Sequence, residues 1–428
     1  MVVTGAWATK AQAEDSLYLP LLTYRTGPFA GSGIPIANGM NDYLQMLNER
    51  DGGIGGVPLR IEECETAYNT QKGVECYEGT KGEGALMYNP YSTGITLQLI
   101  PKASVDQIPV LSMAYGLSAA AVGDTFPWVF NPPATYWDGA SAVIKYIAEQ
   151  EGGLDQLEGK KIGYIFLDAG YGREPIPLLE QFAEDYGFEL TQYPVALDAM
   201  QNQSSQWLNV RRDQPDWMFM QGWGAMNPTA VREAAKIRFP MDRFVGIWWS
   251  GGDDDARPAG DDAIGYKTLN FHGTGTDYPA IQDILNYVVE PGLSQVSDVS
   301  AVGENLYNRG VYNAVYMAEA VYTAQQLTGN AVVTAADVRH GLENLNITEE
   351  RIKEIGLEGF MRPVRVTCVD HSGGHDVYMQ QWNGTTWEPV SDWYAPMTEI
   401  VRPLLETAAA EYVENNQPWP ERTEECMN

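Results

Sequence analysis

Two stretches concentrate the side chains able to bind a metal or move a proton. In Asp370-His371-Ser372-Gly373-Gly374-His375-Asp376, two of the four histidines stand among carboxylates. Gathered by a turn they could hold a cation; a solvated polar turn is the plainer role. Asp253-Asp254-Asp255 could line a calcium loop or open a helix, whose N-terminal dipole favours carboxylates. Catalysis has less to work with. The chain contains no GxSxG, GxxxxGK[ST], HExxH or strand-following GxGxxG. The glycines of 51–56 fall between a helix and a strand as a cap and turn, with no helix behind them to receive an anion. No enzymatic activity, cofactor or metal is expected.

The four cysteines, Cys64, Cys76, Cys368 and Cys426, are even in number and accompany an export-like start in which Ala11-Gln12-Ala13 has the small-x-small form of a leader-peptidase site. That favours an oxidising compartment and two disulfides, Cys64–Cys76 and Cys368–Cys426. With no CxxC, a zinc site is the weaker alternative.

The elements that must position any site follow from patterning. Short β-branched or aromatic runs alternate with amphipathic ones, as in parallel sheets covered by helices. Strands are expected at 17–22, 59–63, 85–88, 110–113 and 128–130, and, after Pro132-Pro133, at 161–167, 189–193, 217–220 and 244–248. Helices fill the intervals. The remainder, with a strand at 265–271, helices at 279–290, 304–328 and 334–344, and a strand pair 364–369 and 377–382 turning at Ser372-Gly373-Gly374, has too few strands for a core of its own. It is expected to return to the two units already begun, so that the chain crosses between them more than once and forms a hinge. The predicted organisation is an unstructured or leader segment 1–15, lobe one from 16–132 plus 267–358, lobe two from 133–266 plus 359–393, and a C-terminal helix and disulfide-tied tail, 394–428. A formal charge of −30, from 57 acidic and 27 basic residues, repels phosphate backbones and anionic lipid alike, so no nucleic acid or direct membrane insertion is expected. No apolar run reaches the roughly 18 residues of a membrane span.

The segment Leu21-Leu22-Thr23-Tyr24-Arg25-Thr26-Gly27-Pro28-Phe29-Ala30, then Gly33, then Asp51-Gly52-Gly53-Ile54 resembles the opening of the Leu/Ile/Val-type solute-binding proteins of ABC transporters, and Asp168-Ala169-Gly170-Tyr171-Gly172 resembles their second-lobe turn. The likeness runs from about residue 16 to 393. It implies an α/β, two-lobed periplasmic-binding-protein type I fold, a periplasmic location, a membrane permease as partner, and a small-molecule ligand gripped between lobes by a monomer. Cys64-Glu65-Thr66, Gly73–Glu78 and Tyr307-Asn308-Arg309-Gly310 resemble motifs of one branch of that family.

In such proteins the contacts come from strand C-terminal ends. Here those positions hold Tyr91, Ser92 and Thr93, Tyr115, Tyr136 and Trp137 after the first crossover, Tyr171, Trp223, and Trp248 with Trp249. Ser92 and Thr93 could present hydroxyls and free amides to a ligand carboxylate, or simply cap a helix. The aromatics could stack on a ring, and Arg25 and Arg309 could pair with a carboxylate. Where amino-acid binders usually place an acid for the ammonium group, this chain has Trp248-Trp249-Ser250. A small organic solute, such as an aromatic or other carboxylate, is therefore expected. The alternatives are a neutral or branched-chain amino acid, with Asp253 or Glu304 supplying the acid, and the ligand-sensing domain of a signalling system, which would need an anchor or effector region besides.

Overall fold

The computed structural model describes residues 16–420, 422, 423 and 426; the expected leader segment 1–15 lies outside them. The first strand, β1 (Leu17–Thr23), is buried at every position, the mark of a parallel strand covered on both faces. It pairs in parallel with β2 (Leu59–Glu65). Residues 85–89 extend the sheet through single parallel bridges, Tyr18 to Ala85 and Tyr88 to Val110, and β3 (Val110–Leu111) pairs with β4 (Val129–Phe130). Two long helices close one face. Ala30–Asp51 stops at Gly52, which takes the left-handed φ of 71° that a helix cap favours. It lies directly against Asn305–Thr328, because Gly39 and Gly310 let the backbones touch. A methyl on Gly310 would stand 2.1 Å from the Ile36 carbonyl oxygen. Gly310→Ala is accordingly expected to cost about 1–3 kcal/mol of stability, read as a lower denaturant midpoint with unchanged slope.

The second lobe is a seven-stranded sheet in the order β13-β12-β9-β8-β7-β5-β6. Its parallel part is β5 (Lys161–Leu167), β6 (Glu189–Val195), β7 (Trp217–Gln221), β8 (Phe244–Gly246) and β9 (Lys267–Asn270). After the short antiparallel pair β10 (Asn346–Ile347) and β11 (Val364–Arg365), the antiparallel β12 (Tyr378–Trp382) and β13 (Trp387–Pro389) finish the edge. Three crossovers join the lobes, near 131–135, 270–273 and 372–377.

Two expectations need correction. Residues 267–270, assigned with lobe one, are β9 of the second sheet, so the return to lobe one begins at Asn270. The pair 364–369 with 377–382 does not form: β11 joins β10, and 366–371, assigned with lobe two, runs along lobe one, with Val366 N donating to the Leu345 carbonyl at 2.9 Å and His371 N to that of Ala121 at 2.9 Å. A buried apolar strand carries no label for which sheet will bury it, and that is where the boundaries went astray.

Both disulfides, Cys64–Cys76 and Cys368–Cys426, are present, closing sequence separations of 12 and 58 residues. On the chain-entropy account these are worth about 3 and about 4 kcal/mol. The second ties Cys426 to the lobe-one return segment. The helix Thr398–Asn415 reaches the same segment through Arg402, which donates to the Val369 carbonyl at 2.7 Å.

Candidate functional site

The C-terminal ends of the strands in both sheets converge on one small cavity. Lobe one contributes Tyr68 after β2, Tyr91 and Thr93 after 85–89, and Tyr115 after β3; lobe two contributes Tyr136, Tyr171 after β5, Trp223 after β7 and Trp249 after β8. The space between them, its opening to solvent included, is ≈ 220 Å³. The walls are aromatic and carry no formally charged side chain.

Local backbone strain sets several of these groups. Tyr68, Tyr91 and Ala114 all adopt left-handed φ angles, of 58°, 24° and 57°, conformations that cost of order 1–3 kcal/mol in non-glycine residues and cluster at binding sites. Internal bonds then hold the rings in place. Tyr115 OH donates to Asn89 Oδ1 at 2.7 Å and accepts from Tyr91 N at 2.5 Å. Tyr171 OH donates to the Gly222 carbonyl at 2.9 Å. Trp249 meets Trp223 edge-on at 5.3 Å and Tyr115 at 5.9 Å between centroids.

Several bonds also span the lobes. Thr93 Oγ1 and Tyr136 OH lie 3.0 Å apart. The indole N–H groups of Trp248 and Trp249 both donate to one lobe-one carbonyl, that of Ala114, at 3.0 and 2.9 Å. Ser118 N donates to Glu174 Oε1 at 2.8 Å, and Asn305 N to Asp253 Oδ2 at 2.8 Å. Gly224, with φ 60°, rests against Phe29, and a methyl there would come within 2.6 Å of that ring. The lobes are clasped together.

Electrostatics around the clasp are set by burial. Burial pushes the Glu174, Asp253 and Asp255 carboxyls up to about 7, with the Glu304 charge adding to the effect on Asp253. At the hinge, the His375 ring sits between Asp370 Oδ2 at 3.1 Å and Asp138 Oδ2 at 3.3 Å, and its backbone N–H donates to the Pro133 carbonyl of the first crossover at 2.7 Å. Burial would lower its pKa, yet the two carboxylates raise it to about 10, so an imidazolium pins the first and third crossovers. His371 lies stacked on Phe130 at 4.0 Å. Among the described residues, the one triplet of metal-type side chains within reach of each other is Asp124, Cys368 and Cys426, whose two sulfurs form a disulfide. Asp253–Ala256 is a short helix; Asp255 accepts from Gly252 N and Asn227 Nδ2.

Of the sequence candidates, Tyr91, Thr93, Tyr115, Tyr136, Tyr171, Trp223 and Trp249 share the cavity. The others lie elsewhere. Arg25 is held by Glu63 at 2.7 Å and by Asn38, Ser92 caps Ile95 N, and Trp137 donates to the Glu174 carbonyl at 3.1 Å. Trp248 is fully buried outside the cavity, and Arg309 is fully buried against the Trp249 ring. Tyr68 was not foreseen, although it follows a strand end as the others do. A larger hollow, ≈ 650 Å³ with its opening to solvent included, lies beside the cavity between Pro28–Pro35 and Gly224–Pro228, with Asp253, Asp254, Asp255 and Glu304 among its lining residues.

Residues 16–386 match the family model described as "Periplasmic binding protein". Among solved structures, the chain is similar to one from the Pseudomonas fluorescens group titled an ABC transporter permease, with 39% identity, 96% of this chain and 99% of that one covered, and a TM-score of 0.88. A branched-chain amino acid ABC transporter protein from Thermus thermophilus with bound valine shares 19% identity, over 90% of this chain and 98% of that one, with a TM-score of 0.76. A solute-binding protein from R. palustris in complex with benzoate shares 15% identity, over 89% and 98%, at 0.68. No curated protein matches the chain.

Proposed function

Because the chain belongs to the periplasmic binding protein family, whose members here include solute-binding proteins of ABC transporters, we propose that it captures a small aromatic oxyacid of the benzoate class and presents it to a membrane permease. The observation that carries this is the lining: eight side chains, four from each lobe, seven of them aromatic and none formally charged, between which a ring enters as the lobes part. A planar ring gains both burial and about 0.5–1.5 kcal/mol per aromatic partner there. Its acidic group can be met by neutral donors, the Thr93–Tyr136 hydroxyl pair and the first amides of the helix Thr93–Asp106. An amino acid fares worse. No carboxylate lines the cavity, and the Ala114 carbonyl already accepts two indole N–H groups, so an α-ammonium would be desolvated without a partner at a cost of several kcal/mol.

Two disulfides and the absence, among the described helices, of any long and apolar enough to cross a membrane suit a periplasmic carrier. His272, His371 and His375 are engaged in structural contacts, which favours binding over catalysis. The second reading is a neutral amino acid whose ammonium reaches Asp253 or Glu304 in the adjoining hollow; the valine-bound relative supports it. Thermal-shift measurements with benzoate, hydroxybenzoates, leucine and valine decide between them. Aromatic acids are expected to raise the midpoint, by the equivalent of about 2.7 kcal/mol at a hundredfold excess over Kd. Stabilisation by leucine or valine, with none by any aromatic acid, would overturn the proposal.

A further inference from the structure

Arg309 is fully buried and, among the described residues, has no carboxylate as a bonding partner. Its guanidinium donates to His272 Nε2 at 2.6 Å, to the Trp248 carbonyl at 3.2 Å and to Asn270 Oδ1 at 3.0 Å. All three acceptors are neutral: burial and the guanidinium itself hold the His272 pKa well below its usual value. Two rings complete the enclosure, Phe271 at 4.1 Å and Trp249 at 5.0 Å from the guanidinium carbon to the ring centroid. Burial lowers the Arg309 pKa to about 9, so the group is still cationic at neutral pH.

A buried charge without a counter-charge is expensive to keep, and hydrogen bonds to neutral acceptors offset only part of that expense. What distinguishes this one is its position: one indole separates it from the aromatic cavity, since Trp249 lines that cavity and also receives the guanidinium. We infer that Arg309 is a specificity-determining residue that makes the cavity favour anionic over neutral or cationic rings without touching its contents. The inference rests on the aromatic-solute reading. A unit charge acting through one ring in a water-poor surrounding is felt strongly enough to matter. An anionic ligand then completes the charge balance that the chain leaves open, and an amine meets repulsion as well as desolvation.

Matched probes of one shape test this: benzoate, benzamide and benzamidine, titrated by calorimetry against the wild type, Arg309→Gln and Arg309→Lys. In the wild type the expected order is benzoate over benzamide, with benzamidine unbound. In Arg309→Gln the preference for benzoate over benzamide falls by on the order of tenfold while benzamide affinity changes little, and Arg309→Lys retains most of the preference. A purely structural role would instead weaken benzoate and benzamide in parallel, and that result, or an unchanged ratio in Arg309→Gln, overturns the inference. Should Arg309→Gln fail to fold, the wild-type order still decides, because binding of benzamidine at least as tight as benzoate contradicts a cationic surround. If the wild type binds none of the three, the aromatic-solute reading itself fails, and the inference with it.

Discussion

Trp249→Ala is expected to weaken binding of an aromatic acid by on the order of a hundredfold or more, as truncation of a central aromatic anchor does. Three roles meet in this one side chain. Its ring is a wall of the cavity, packed against Trp223 and Tyr115. Its N–H is one of two that fasten lobe two to the Ala114 carbonyl. It also separates the Arg309 guanidinium from the cavity contents. Trp248→Phe makes the contrast, because Trp248 shares the bond to Ala114 but lies outside the cavity. It should cost about 1 kcal/mol, the net worth of one hydrogen bond, expressed through closure alone. Titration calorimetry of both variants gives the comparison. Equal affinities for Trp249→Ala and the wild type would show that the ligand sits elsewhere.

The ligand-free protein should become more stable as pH falls from 8 to about 5, by on the order of a few kcal/mol in all. Glu174, Asp253 and Asp255 are the cause, since burial lifts each to about 7 in the folded chain. A carboxyl whose pKa rises on folding binds its proton more tightly in the native state. Its stabilising effect is complete below the unfolded value near 4 and is lost as pH rises through 7. His375 acts in the same direction at higher pH, as its folded value of about 10 lies above that of the free imidazole; its contribution disappears between roughly 6.5 and 10. His272 opposes them below about 6.5, where the unfolded imidazole takes up a proton that burial and Arg309 deny it in the fold; the other opposing groups titrate lower. Glu343, held at about 2 by His371, Arg422 and Arg339 against the effect of burial, loses its contribution only as pH drops below about 4. Falling net negative charge adds to the trend, so the diagnostic variant is Asp255→Asn, which can still accept from Gly252 N and should flatten the slope of thermal midpoint against pH. A slope equal to that of the wild type would remove Asp255 from the account.

The aromatic cavity was largely legible in the sequence because one rule, that ligands meet strand C-terminal ends, needs only the strands to be placed. Tyr91, Tyr115, Tyr171, Trp223 and Trp249 each follow a strand that patterning identifies. Tyr68 obeys the same rule after β2 but lies inside the Cys64–Cys76 loop, where its left-handed φ of 58° has no glycine to mark it. The arginines could not be placed this way. Whether a guanidinium meets a ligand or a neighbour depends on tertiary pairing, and Glu63 on β2 claims Arg25 while the helix that carries Arg309 turns it towards His272. The third crossover shows the same limit: Ser372-Gly373-Gly374 has hairpin chemistry, but His371 and Val366 find their backbone partners in lobe one.

The central claim is that one aromatic enclosure, built equally from the two lobes, holds the solute. The crystal structure of the complex with whichever ring compound raises the thermal midpoint most tests it directly. The account predicts the ring between Tyr136 and Trp249, in contact with Tyr115 on one lobe and Trp223 on the other, its acidic group directed at the start of the helix Thr93–Asp106. A ligand seated in the acidic hollow beside Asp253 and Glu304, or touching a single lobe, would contradict it.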